Sequence, residues 1–159
     1  MRKTKKRNWM ALVACILAVL FAVQAPAQIQ ASDITCSKLY DVVKKECSSG
    51  AKKVSKLDRC TLVSYSYRKK VDDFYYAADS NQVYCVCIVK AEGTSAAKEI
   101  KKEFDSVKKE KKNDSYLKAK EKKQVKTARC GRSGSYVWYI CLGSKKGNKK
   151  AEKALKEAI

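Results

Sequence analysis

The chain has 159 residues, of which 36 are Lys or Arg and 16 are Asp or Glu, so its formal net charge is +20. This length predicts one domain, and the charge either favours anionic partners or serves to solvate the surface. The sequence contains no histidine, which removes the commonest general base and metal ligand and excludes a catalytic triad of the familiar kind.

Residues 1–27 have the plan of a secretory signal peptide. Five basic residues within positions 2–7 precede an uncharged run of 15 residues, Trp9 to Val23, and small residues follow up to Ala27. The sequence therefore predicts an exported protein that is extracellular or associated with the cell envelope after cleavage near Ala27. The alternatives are an uncleaved leader that anchors the chain in the membrane, or lipidation of Cys15, which ends a lipoprotein-like box.

Cleavage of the leader near Ala27 would leave 31 basic and 16 acidic residues, a charge of +15, together with seven cysteines. Because seven is odd, at least one thiol is expected to stay free or to pair between molecules. Residues 28–70 are predicted to be an N-terminal helical segment of the domain. Its helix begins at Ser32 or Asp33 and ends near Cys47, where apolar residues recur at helical spacing. Residues 51–70 show no clean period and indicate a short helix or turn.

Residues 71–159 predict an α+β domain. Strands are expected at 71–78, 83–89, 124–130 and 135–142, and helices at 93–112, 116–122 and 149–159. The strands form a small antiparallel sheet of about four strands, arranged as two hairpins. Helices pack on one face of this sheet, and the N-terminal helix is added to them.

The stretch VYCVCIVKA at Val83–Ala91, the amphipathic helix after it, residues 125–142 and the final KKAEKAL at 149–155 follow one another in a definite order. This order resembles a family of small exported proteins, often lipoproteins, of Gram-positive gut bacteria. The resemblance covers about residues 71–159. The family is known as a domain of unknown function, so the resemblance implies a fold and export and assigns no functional residue.

Cys85 and Cys87 raise the question of a chemical site. Two residues apart on a strand, they share one face with Cα atoms about 6.5 Å apart and are poorly aimed at each other. Because their face is apolar, core filling is the favoured interpretation. A disulfide to another element is the first alternative, and a redox or metal site is the second. The candidate partners are Cys141 across the sheet and Cys36 or Cys47 beneath it.

The other cysteine pairs are excluded by geometry. Cys36 and Cys47 would lie about 16 Å apart along one helix. Cys130 and Cys141 would lie about 20 Å apart if Cys130 faces Ser135. The sequence contains no C-x-x-C knuckle of the kind that zinc sites use, so we expect neither a metal nor a cofactor.

A candidate basic surface is formed by lysines of the long helix and of the helix after it. They are Lys101, Lys102, Lys108, Lys109, Lys111, Lys112, Lys122 and Lys123. Aromatic residues such as Tyr136 and Trp138 share a strand face, where they would either stack on sugars or bases or pack beneath the N-terminal helix. Packing is the favoured interpretation because aromatics dominate cores.

No set of residues in the sequence indicates a catalytic reaction. Asp72 and Asp73, for example, point to opposite faces of a strand and cannot act as an acid/base pair. The sequence therefore predicts a non-enzymatic exported protein that binds, or is retained at, an anionic envelope surface such as a wall polymer or phospholipid head groups. A thiol-active secreted protein, redox or metal-binding, is the second hypothesis. An exported binder of single-stranded nucleic acid is the third.

Overall fold

The computed structural model describes residues 34–44, 52–54 and 57–159. The predicted leader, Cys15 and Cys47 lie outside these residues. The helices are α1 (Cys36–Lys44), α2 (Tyr65–Arg68), α3 (Thr94–Asn113), α4 (Ala119–Thr127) and α5 (Lys145–Ala158), with a 3₁₀ turn at Leu57–Arg59. The strands are β1 (Lys52–Val54), β2 (Val71–Ala78), β3 (Cys85–Ala91), β4 (Arg129–Ser133) and β5 (Tyr136–Cys141).

The strands form one antiparallel sheet in the order β1-β2-β3-β5-β4. The β2/β3 and β4/β5 pairs are hairpins, and β3 joins β5 at the centre. The predicted α+β class, with an antiparallel sheet of two hairpins, is confirmed. The three-residue strand β1 adds an edge to the four expected strands, within the stretch where a short helix or turn was predicted.

Helices lie on both faces of the sheet, which differs from the expected arrangement on one face. On the first face, α3 packs Ala97, Ile100 and Phe104 against the cysteine side of β3. On the second face, α1 and α5 cover the side of the sheet that carries Val86 and Ile88. Because β3 is apolar on both sides, each of its faces requires a cover.

Strand β3 begins at Cys85, two residues later than predicted, because the backbone N–H groups of the two residues before it bond to a side chain of the preceding turn. The Asp79 carboxylate accepts hydrogen bonds from the backbone N–H groups of Val83 (2.9 Å) and Tyr84 (3.2 Å). These groups are therefore engaged in the turn. The Asp79 side chain thus also determines where the strand starts.

Two aromatic side chains of β5, those of Tyr136 and Trp138, pack on the face of the sheet that α1 covers. Tyr136 and Trp138 are buried, and the Tyr136 hydroxyl donates to the carbonyl oxygen of Ile34 at 2.8 Å. The Asp73 carboxylate accepts from the backbone N–H of Cys36 at 2.7 Å and so caps the start of α1. The prediction that these aromatics fill the core is confirmed.

The predicted elements between residues 116 and 130 need correction. A helix at 116–122 and a strand at 124–130 were expected, whereas α4 spans Ala119–Thr127 and β4 begins at Arg129. The Glu121 side chain accepts from the backbone N–H of Lys118 at 2.7 Å, which sets the later helix start. Gln124 and Val125 are buried on the helix instead of alternating along a strand.

The start of the last helix is also earlier than predicted. Residues 143–148 were expected to form a loop, but α5 begins at Lys145. The Ser144 side chain accepts from the backbone N–H of Gly147 at 3.0 Å, as expected of a helix N-cap. This cap outweighs the low helix propensity of Gly147.

Candidate functional site

A basic cleft of about 210 Å³ opens where α3, α4, β4 and α5 meet. Its lining residues are Lys108, Lys126, Thr127, Ala128, Arg129, Lys145 and Lys149. Five of these side chains are cationic, and none of the described residues that line the cleft is acidic. Because like charges repel, a cluster of cations of this kind favours an anion over a cation.

The floor of the basic cleft is formed by the end of α4. The Lys108 ammonium donates to the carbonyl oxygen of Ala128 at 2.6 Å, which holds α3 against this turn. The Thr127 hydroxyl donates to the carbonyl oxygen of Gln124 at 2.8 Å. These bonds fix the backbone around which the cations are arranged.

Asn148 connects three elements at the cleft and is fully buried. Its Oδ1 atom accepts from the backbone N–H of Leu142 at 2.7 Å, which ties α5 to the end of β5. Its Nδ2 atom donates to the carbonyl and hydroxyl oxygens of Thr127 at 2.9 and 3.0 Å, which ties α5 to α4. Lys145 and Lys149 flank Asn148 on α5, so this amide also positions their backbone.

Arg129 is held in place by an ion pair. Its Nε atom lies 2.6 Å from Oε2 of Glu152, whose side chain is only 9% exposed. The second carboxylate oxygen of Glu152 lies 3.6 Å from the ammonium of Lys156. This pairing orients the guanidinium at the cleft.

The N-terminal end of α5 contributes to the same cavity. The first turn of this 14-residue helix contains Lys145 and Lys146 and no acidic residue. Backbone N–H groups at a helix N-terminus and the positive end of the helix dipole both favour anions. The helix end and the five cations therefore select for the same class of ligand.

The eight lysines predicted to form a basic surface differ in their exposure to solvent. Lys102, Lys109, Lys112 and Lys123 are exposed, whereas Lys101, Lys108, Lys111 and Lys122 are half-buried. Lys101 pairs with Asp105 at 2.5 Å, and Lys111 donates to the carbonyl oxygen of Gln82 at 2.8 Å. Of the predicted set, Lys108 alone lines the cleft.

The other cations of the cleft were missed by sequence reasoning. They are Lys126, Arg129, Lys145 and Lys149. They belong to three different elements, α4, β4 and α5, so no periodicity within one element joins them. One available signal was the pair of lysine doublets at 145–146 and 149–150, which directly follow a residue able to cap a helix.

A thiol cluster lies on the face of the sheet covered by α3 and consists of Cys60, Cys85, Cys87, Cys130 and Cys141. Cys85 is directly opposite Cys141 in the β3/β5 register, so the predicted neighbourhood across the sheet is confirmed. The Sγ atoms of Cys60 and Cys87 lie 3.7 Å apart. Cys36 packs on the other face.

The predicted position of Cys130 was wrong. Cys130 is opposite Tyr139 instead of Ser135, because the hairpin turns tightly at Gly134, whose φ is +54°. Cys141 is therefore a diagonal neighbour, for which Cα atoms lie about 7–8 Å apart instead of 20 Å. All six described cysteines are free thiols.

Burial sets the acidity of most of the cluster. Desolvation raises the pKa of Cys141 to about 11 and that of Cys130 to about 12. Desolvation likewise raises the pKa of Cys85 and Cys87. These thiols are therefore protonated near neutral pH, which supports the core-filling interpretation and disfavours Cys85, Cys87 and Cys141 as the thiolate that first attacks an external molecule.

Cys60 differs from the rest of the cluster. Its hydrogen bond with Cys87 lowers its pKa, and the backbone N–H groups of Leu62 and Val63 act in the same direction, against desolvation. Sequence reasoning did not select Cys60, because it lies in the stretch without a clean period. Among the described residues, no three or more His, Cys, Asp or Glu side chains converge as a metal site.

Comparison with known proteins gave no match to any family model, curated protein or solved structure. The resemblance to the exported family therefore stays a prediction. Within the described part of the chain, no helix combines the length and the apolar character needed to cross a membrane.

Proposed function

We propose that this protein is a non-enzymatic binder of an anionic, phosphate-bearing polymer of the cell envelope, and that the basic cleft receives one phosphate group of that polymer. The observation that carries the proposal is the convergence of five cationic side chains, without an acidic one, on a single cavity. Export rests on the predicted leader, which would place the protein where such polymers occur.

The donor set suits a phosphate better than a single carboxylate. An arginine binds phosphate through a planar fork of N–H groups, and lysines add point charges around it. A helix N-terminus adds backbone donors. Arg129, Lys145 and the start of α5 combine these three elements in one cleft.

A polymer would also contact charges outside the cleft. Lys102, Lys109 and Lys112 are exposed on α3, and Lys108 of the same helix lines the cleft. Exposed lysines raise the local concentration of a polyanion and the rate of its encounter. The cleft supplies the specific contact, and the helix surface supplies screened, long-range attraction.

Single-stranded nucleic acid is the less favoured polyanion. Such binders use aromatic side chains as stacking platforms, but Tyr136 and Trp138 are buried in the core. Among the described residues, the large apolar side chains that are exposed are Tyr65 and Tyr116. Neither of them lines the basic cleft.

The experiment compares two double variants that remove equal charge. Lys145→Gln with Lys149→Gln alters the cleft, whereas Lys102→Gln with Lys109→Gln alters the outer surface of α3. Binding to poly(glycerol phosphate) is measured by calorimetry at two salt concentrations. We expect the cleft variant to lose about tenfold or more in affinity, since a charge-assisted contact contributes about 1.5–3 kcal/mol and about 1.4 kcal/mol is tenfold.

The surface variant should lose less than about threefold, because its charges lie outside the cleft and act only through screened attraction of about 0–1 kcal/mol. Equal losses in the two variants would show that binding is diffuse and that the cleft is not the site. Absence of binding at low salt would refute the proposal itself. Tighter binding to an oligothymidylate, or to anionic lipid vesicles, would replace the wall polymer with that partner.

A further inference from the structure

We propose that Cys60 and Cys87 are an oxidisable pair that closes to a disulfide and fastens the segment 57–68 to the central strand of the sheet. Their Sγ atoms are 3.7 Å apart, and both residues are fully buried. Within the cluster, Cys85 has its own neighbour, Cys141, in the strand register. Cys60 and Cys87 are thus a distinct pair, separate from the basic cleft.

The backbone around the pair allows the bond to form. A disulfide requires an S–S distance of about 2.05 Å, so the sulfur atoms must approach by about 1.6 Å. Cys87 is fixed in β3, but Cys60 lies between the 3₁₀ turn at Leu57–Arg59 and the four-residue helix α2. Because short helical turns have little stability of their own, this segment can adjust without moving the sheet.

The chemistry is exchange with an external disulfide, such as a small-molecule or protein disulfide oxidant. The Cys60 thiolate attacks one sulfur of the oxidant and releases the other sulfur as a thiolate, which leaves a mixed disulfide at Cys60. The Cys87 thiol then loses its proton and attacks the Cys60 sulfur, releasing the second oxidant thiolate. In total, two protein thiols lose two protons and two electrons, and the oxidant disulfide becomes two thiols.

Cys60 is the attacking sulfur because its surroundings favour the thiolate. The backbone N–H groups of Leu62 and Val63 and the neighbouring Cys87 lower its pKa, whereas burial raises the pKa of Cys87. The oxidant reaches Cys60 through local opening of the segment. One polar contact that holds the segment to α3 is the 2.8 Å hydrogen bond from the Ser64 N–H to Glu103.

Peptide mapping of the full-length protein tests this inference. The protein is equilibrated with oxidised glutathione, free thiols are alkylated, and the chain is digested with trypsin without reduction. Cleavage after Arg59, Arg68, Lys70 and Lys90 separates peptide 60–68, CTLVSYSYR, from peptide 71–90, which contains both Cys85 and Cys87. We expect a disulfide-linked species of these two peptides whose fragment ions place the bond at Cys87.

Two serine variants provide the matched comparison, since Cys85 and Cys87 lie on the same strand and face. Cys85→Ser should retain the link to peptide 60–68, and Cys87→Ser should abolish it. The proposal is overturned if peptide 71–90 of the wild-type protein is alkylated at Cys87, or if its only link is to peptide 133–145, which contains Cys141. The peptide map of the wild-type protein tests for the Cys60–Cys87 disulfide even if a variant fails to fold.

Discussion

Replacing Asn148 with alanine tests how the basic cleft is built. The amide of this fully buried side chain joins the end of β5, the end of α4 and the first turns of α5. Alanine is an excellent helix former, so the backbone of α5 itself tolerates the change. The expected loss therefore comes from the tertiary hydrogen bonds alone.

The magnitude follows from the groups that lose a partner. The Leu142 N–H loses its 2.7 Å bond, and the Thr127 carbonyl oxygen loses its 2.9 Å bond. The Thr127 hydroxyl keeps its bond to Gln124. A buried polar group left without a partner costs about 1–3 kcal/mol, so two groups reduce the free energy of unfolding by about 3 kcal/mol. For a domain of this size that is a fall in Tm of roughly 10 °C.

The assay is urea unfolding of wild type and variant followed by circular dichroism. Asn113→Ala, at an exposed position of α3, is the control and should change stability by less than about 0.5 kcal/mol. A loss below about 1 kcal/mol for Asn148→Ala would refute the assignment of Asn148 as the connecting residue. Affinity for poly(glycerol phosphate) should fall along with stability, because Lys145 and Lys149 lose their fixed backbone.

Two further predictions concern the sheet. Gly131→Ala would place a Cβ atom in steric overlap with Cζ2 of the Trp138 indole, so overpacking should lower the free energy of unfolding by about 1–3 kcal/mol, measured with urea. Unchanged stability would show that the buried indole can move. The second prediction concerns pH. Because burial raises the pKa of Cys141 to about 11, against an ordinary value of 9.0, the unfolded chain ionises first as pH rises. Stability should be retained below about pH 9 and should fall between pH 9 and 11, and Cys141→Ala should make this fall shallower in unfolding experiments across that range.

Local patterns in the sequence predicted much of the fold. Strand β2 has the predicted bounds, Val71–Ala78, because its three consecutive aromatic residues, Phe74 to Tyr76, favour a strand. Helix α3, Thr94–Asn113, is offset by only one residue from the predicted 93–112, because the apolar residues that it buries, Ala97, Ile100 and Phe104, recur with a clear helical period. In both cases the residues that determine the element lie inside the element.

The sequence predictions fail where an element of structure depends on residues that are distant in the chain. Gln124 to Thr127 read as a polar strand, but Thr127 is held by Asn148, which lies 21 positions away. The edge strand β1 exists through its pairing with β2, and three residues provide too short a pattern to show a period. The sequence also did not show that both faces of the sheet are covered, because α1 and α5, which cover the second face together, come from opposite ends of the described chain.

The most conspicuous sequence features make contacts within the fold. Cys85 and Cys87 fill the core, as the apolar strand predicted. Lys111 ties α3 to the β2/β3 turn through the carbonyl oxygen of Gln82. The thiol that has a close sulfur neighbour, Cys60, lies in a segment with no clear pattern. The period of a pattern indicates on which face of a helix or strand a residue lies. It does not indicate which residue of another element it contacts.

The lysines of the cleft are hard to explain by solubility alone. Exposed charges such as Lys102 and Lys109 on α3 provide solubility without opposing a helix dipole. Lys145 and Lys146 occupy the first turn of α5, where a cation is unfavourable by about 0.3–1 kcal/mol and an acid would be favourable. Lys149 adds like charge to the same cavity, in which Arg129 is paired with Glu152. This arrangement is expected to cost stability in the free protein, and the proposed phosphate would offset the repulsion.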